Sequence, residues 1–97
     1  MLQNYAMMFQ FMEVLGKKWI VPVLILLLLC EKTTFTSIKK QLKVTSRALS
    51  KKLKLLETLG LVEKVIANSP SKFAYTLSEK GKGISQTLLN FGINFVK

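Results

Sequence analysis

Histidine and aspartate are absent from this 97-residue chain, and cysteine occurs once, at position 30. The only acids are five scattered glutamates. That inventory offers no acid/base pair, no nucleophile–base pair and no metal cluster, so neither an enzyme nor a metal or other cofactor is expected. A lone cysteine cannot form an intramolecular disulfide, which fits a reducing compartment. Because Cys30 closes an apolar run, it is expected to be buried as a small hydrophobe. Long apolar runs are also missing. The longest, WIVPVLILLLLC at 19–30, has twelve residues and is flanked by Lys17, Lys18 and Glu31, Lys32, whereas a spanning helix needs about 20. It is read as a fully buried core helix, with Pro22 tolerated in its first turn. The opening residues MLQNYAMMFQFMEVLG lack the cationic start and cleavage site of a signal peptide. A cytoplasmic, nucleoid-associated location with no membrane partner is therefore expected.

What the chain has in abundance is positive charge. Lys and Arg number 15 against 5 acids, a formal net charge of +10, and such a surface attracts polyanions. The length suits one domain. Leu2, Tyr5, Phe9 and Met12 share one helical stripe in the first fifteen residues, and Met8, Phe11 and Leu15 form an adjoining one. This exceeds what one core needs and suggests a partner chain. After the buried helix, TTFT (33–36) favours a strand, and SIKKQL a short helix capped by Thr36 or Ser37. Thr45 is a suitable N-cap and Gly60 a suitable C′ residue for the helix between them. LVEKVIA and FAYTL alternate around the turn residues NSPSK, predicting a hairpin over 61–77. Ser78 caps a last helix with the stripe Ile84, Leu88, Phe91, Phe95; Gly81, Gly83 and Gly92 are expected to weaken it.

The segment VTSRALSKKLKLLETLGLV (44–62) has two faces. Leu49, Leu53 and Leu56 form an apolar stripe, widened by Ala48, Leu55 and Leu59, while Ser46, Arg47, Ser50, Lys51, Lys54, Glu57 and Thr58 occupy the opposite arc. Lys52 falls in the apolar arc and has to snorkel to its margin. Charge runs are often no more than solvated faces. Here, however, Lys39 and Lys40 lie on the preceding helix, Lys43 in the turn, and Lys72 at the hairpin tip with Asn68, Ser69 and Ser71. Two helices joined by a tight turn and followed by a hairpin outline a winged helix-turn-helix, which places these groups on one side and makes double-stranded DNA the economical partner. The fold class is thus mainly α (α+β), with helix-turn-helix at 36–59, wing at 61–77, and additional helices at 1–16 and 79–97.

The pieces LGKKW (15–19), TTFTSIKKQL (33–42), VTSRALSKKLKLLETLGLV (44–62) and AYTLSEKG (74–81) resemble, in order and spacing, the HxlR-type winged-helix transcription regulators related to the MarR group. The resemblance covers roughly residues 12–85 and implies a homodimer held by the first and last helices, with 45–59 as recognition helix and 62–77 as wing. Leu2, Tyr5, Phe9, Met12, Leu88, Phe91 and Phe95 are the interface candidates. Ser46, Arg47, Ser50 and Lys51 fall where that family's recognition helix meets bases and phosphates, and Lys72 falls at the wing tip. Thr36, Ser37, Lys39, Lys40, Lys43, Thr45, Lys54, Asn68, Ser69 and Ser71 complete the DNA-facing set. Family members often carry a sensing cysteine near the start of the first helix; Ala6 stands there, so redox sensing is not implied. The wing is read as short, with Lys72 as its one cation. Two other readings remain open. One is a weakly specific architectural DNA-binding protein, favoured by lysine outnumbering the single arginine. The other is a protein-interaction adaptor on the same fold. The residues do not name a small-molecule effector.

Overall fold

A computed structural model describes residues 2–67 and 73–97, with side chains described from residue 4 onward. Eight elements follow one another: α1 (Leu2–Leu15), α2 (Ile20–Cys30), β1 (Lys32–Thr34), α3 (Phe35–Leu42), α4 (Ser46–Thr58), β2 (Val62–Ile66), β3 (Phe73–Leu77) and α5 (Glu79–Val96). This is the element order read from the sequence. Among these residues no helix is long and apolar enough to cross a membrane.

The most hydrophobic segment organises the rest. On α2, Ile20, Val23, Leu24 and Leu27 are fully buried at the i, i+3, i+4, i+7 spacing of one helical face. Pro22 sits in the first turn, where its missing N–H costs no helical bond. The expected burial on all sides does not hold, because Leu29 and Cys30 are exposed. The last turn of α2 leads out to Glu31, whose φ of 62° stops the helix. Cys30 is therefore a surface thiol, not a core residue.

The strand at 33–36 ends earlier than expected, at Thr34, and Thr34 itself caps α3 by accepting the Ser37 N–H at 3.2 Å. Thr36 and Ser37 thus lie inside α3 instead of capping it. One threonine can close the strand and open the helix because N-capping requires extended backbone at the cap residue. The expected strand β1 joins the hairpin as the sheet's third strand, pairing antiparallel with β3 through Thr33↔Tyr75, so the sheet order is β1-β3-β2.

Three local devices set the angle and limits of α4. Lys43 adopts the left-handed conformation that ends α3, and Val44 is buried in the turn. Thr45 Oγ1 accepts the Ala48 N–H at 3.2 Å. At the other end, Gly60 has φ +74° and the Leu61 N–H reaches the Leu56 carbonyl at 3.0 Å, closing the last carbonyls as a glycine C′ residue does. Leu49, Leu53 and Leu56 share one buried cluster with Leu61 from the turn, Val62, Tyr75 and Leu77 from the sheet and Ile38 from α3. Fully burying such side chains contributes about 1.5–3 kcal/mol each.

α5 is joined to that same turn. The Ser78 N–H donates to the Leu61 carbonyl at 3.0 Å and the Ser78 hydroxyl to the Gly60 carbonyl at 2.6 Å. The Ser78 hydroxyl in turn accepts the Gly81 N–H at 3.0 Å. A Cβ at Gly81 would overlap the Leu61 carbonyl oxygen. Gly81 is therefore required by a close approach, a reading that helix propensity alone does not reach.

Candidate nucleic-acid interface

The face of α4 opposite its buried leucines is open along its whole length. Ser46, Arg47, Ser50, Lys51, Lys54 and Thr58 are all exposed. Thr58 is tied down, its hydroxyl donating to the Lys54 carbonyl at 2.9 Å, whereas the hydroxyls of Ser46 and Ser50 stay available beside the cations. Glu57 leaves this arc in part: it is half-buried, and its charge acts on Tyr75 of β3, whose phenol is raised above its ordinary range first by burial and then by Glu57. The only acid of α4 thus lies toward the wing, near the helix's C-terminal end.

Thr36, Lys39, Lys40, Lys43 and Thr45, on α3 and the turn that leads into α4, are all exposed as well. Lys39 and Lys40 occupy the last turn of α3, where cations are favoured by the helix dipole. Ser37 is half-buried, and its hydroxyl accepts the Gln41 amide at 2.9 Å, so it is less available than expected. Asn68, Ser69, Ser71 and Lys72 lie outside the described residues. A second wing cation escaped the sequence reading: Lys64 on β2 lies with its ammonium 4.5 Å from the Phe73 ring centre. The register that pairs Lys64 with Tyr75 makes Phe73 its diagonal neighbour, within reach across strands.

Among the described residues one ion pair forms, Lys82 with Glu79 at 3.5 Å. Arg47, Lys51 and Lys54 on α4, and Lys39, Lys40 and Lys43 before it, form none there. No three carboxylate or thiol groups come together among the described residues to hold a metal. The surface can therefore offer uncompensated cations and small hydroxyls to a polyanion, the combination used on phosphates and base edges.

A separate surface lies on the terminal helices. Tyr5, Phe9 and Met12 of α1 are exposed, as are Phe91 and Phe95 of α5, at 78% and 87%. Leu88 is half-buried and packs partly on the core, and the side chain of Leu2 lies outside those described. Large apolar side chains exposed on both terminal helices are of the kind found at interaction surfaces.

Residues 14–94 match the family described as HxlR-like helix-turn-helix. The chain belongs to that family. The uncharacterised HTH-type transcriptional regulator YvaP of Bacillus subtilis (strain 168) is 35% identical over 78 residues, spanning 78% of this chain and 71% of its own. The reduced form of the transcriptional regulator YodB from B. subtilis superposes with a TM-score of 0.74 at 27% identity, covering 89% of this chain and 85% of that one. Lactococcus lactis ZitR superposes with a TM-score of 0.77 over 97% of this chain and 70% of its own, at 23% identity, a likeness of fold alone. This HxlR-like protein is accordingly a DNA-binding transcriptional regulator with a winged helix-turn-helix fold. The relatives compared are regulators, not enzymes.

Proposed function

We propose that this HxlR-like protein acts in the cytoplasm, at the nucleoid, as a homodimer that recognises a specific double-stranded site. In each protomer α4 enters the major groove N-terminus first, and the wing, 62–77, rests on flanking DNA. The observation that carries this reading is the division of α4: three leucines fully buried, and an opposite arc of hydroxyls and unpaired cations wholly exposed. A helix held so firmly by one face presents the other in a fixed orientation, as groove reading requires. The exposed aromatics of α1 and α5 support dimerisation, which would set two recognition helices about 34–36 Å apart.

Arg47 is the only arginine and the only side chain of the arc with a rigid planar fork of donors matched to a guanine edge. That scarcity favours a second reading, an abundant protein that holds phosphates with little sequence preference. Fluorescence anisotropy of labelled duplexes across a salt series separates the two. Affinity should fall log-linearly with salt, and Arg47→Ala should cost about 1–3 kcal/mol on the preferred site and far less on random sequence. Equal losses on both would assign Arg47 to phosphate and favour the architectural reading; no binding at low salt would leave the adaptor reading.

A further inference from the structure

Lys18, Lys43 and Lys52 line one concavity of about 460 Å³ together with Trp19 and Thr45. They come from three places in the chain: the entry to α2, the turn before α4, and the second turn of α4. No glutamate lines the concavity, and none of the three lysines is ion-paired among the described residues. Cations placed only for solubility would be spread apart, because like charges sharing a depression repel. Trp19 adds a second observation. It holds a left-handed backbone, φ 78°, at the start of α2 with no side-chain cap, a conformation that a bulky residue adopts only where its surroundings enforce it. The Lys18 ammonium lies 5.5 Å from the centre of its ring, inside cation–π range. The indole thus holds Lys18 at the rim of the concavity. Lys52, which helical spacing puts among the leucines, finds its outlet there.

We infer that Lys18, Lys43, Lys52 and Trp19 form a phosphate-binding site separate from the solvent-facing arc of α4. Its cations are compact ammonium groups, suited to a tetrahedral anion held as a point charge. Thr45, the N-cap of α4, belongs both to this lining and to the end of the helix that leads into the groove, so a backbone phosphate of DNA passing beside α4 is the favoured occupant. That assignment of source rests on the function proposed above; the site itself does not. The phosphoryl group of a small molecule has the same chemistry.

Trp19 is the only tryptophan, so its emission reports on this site alone. The test titrates wild-type protein with inorganic pyrophosphate and with a labelled duplex of about three helical turns, reading Trp19 emission and, for the duplex, anisotropy against salt. The variant is Lys18→Gln with Lys52→Gln, which keeps the apolar stems in place. Lys17→Gln with Lys97→Gln, two exposed residues outside the lining, is the charge-matched control. The duplex should shift Trp19 emission saturably in wild type and control. In the double variant the shift should vanish, and the salt dependence should become shallower by about one phosphate. A response to pyrophosphate and not to duplex keeps the site and assigns it to a free phosphorylated molecule. If the duplex binds by anisotropy but emission stays silent to both ligands, or the double variant responds like wild type, the site is overturned while the proposed function stands. A response to pyrophosphate in a chain with no duplex affinity does the reverse.

Discussion

Burial raises the Tyr75 phenol above its ordinary value of 10.0, and the nearby Glu57 carboxylate adds to the effect. The folded protein therefore keeps this proton to higher pH than the unfolded chain. Its contribution to stability is complete below about pH 10 and is lost as pH rises through the folded-state value. Thermal unfolding at about pH 8 and about pH 11 should show Tyr75→Phe losing less stability on that rise than wild type; parallel losses would remove Tyr75 as the source. Ser85 makes the opposite case of a polar group without benefit. Its hydroxyl is fully buried and has no hydrogen-bond partner, so Ser85→Ala should stabilise the protein by about 1 kcal/mol, read as a rise in Tm of about 4–8 °C. A fall in Tm would reveal a partner for that hydroxyl. Neither residue announces itself in the sequence: Tyr75 sits in an alternating strand and Ser85 in a helix, and only packing from other elements decides which polar atoms lose water. Cys30 is the converse, a residue at the end of an apolar run that the turn at Glu31 leaves in solvent.

Among the elements, the joint between the end of α4 and the start of α5 ties those two helices together. Ser78 bonds both Gly60 and Leu61, and Gly81 lets the two backbones touch. Gly81→Ala should cost about 3 kcal/mol or more, the upper part of the overpacking range, because the obstructing atom is backbone and cannot swing aside. Chemical denaturation measures this directly; a loss below the roughly 1 kcal/mol that separates alanine from glycine in helix propensity would show that the joint yields. The caps Thr45, Gly60 and Ser78 were legible because capping depends on residues three or four apart. The start of α3 was misplaced because Thr34, Thr36 and Ser37 are all competent caps, and the choice falls to Thr34 through the pairing of β1 with β3, forty residues away. Gly81 belongs to the same class: its purpose lies in Leu61, not in its own helix.

For the whole molecule, the exposed aromatics on α1 and α5 are the largest feature that the single chain leaves unexplained. Phe91 is exposed in the single chain, so on the proposed homodimer Phe91→Glu should leave the fold intact, give monomers in sedimentation velocity, and weaken DNA binding by at least about tenfold, or 1.4 kcal/mol. An undisturbed dimer would move the interface elsewhere. Much of this molecule follows from sequence alone: the order of elements, the divided faces of α4, its caps, the cationic excess and the resemblance that the family match confirms. These properties are set by local periodicity and composition, which act over a few residues. The pairing of β1 with β3, the surface position of Cys30, the need for glycine at 81, and the meeting of Lys18, Lys43 and Lys52 around Trp19 were decided only by the tertiary structure. Each depends on which distant segments share space, and a hydrophobic pattern states that a face is buried without stating against what.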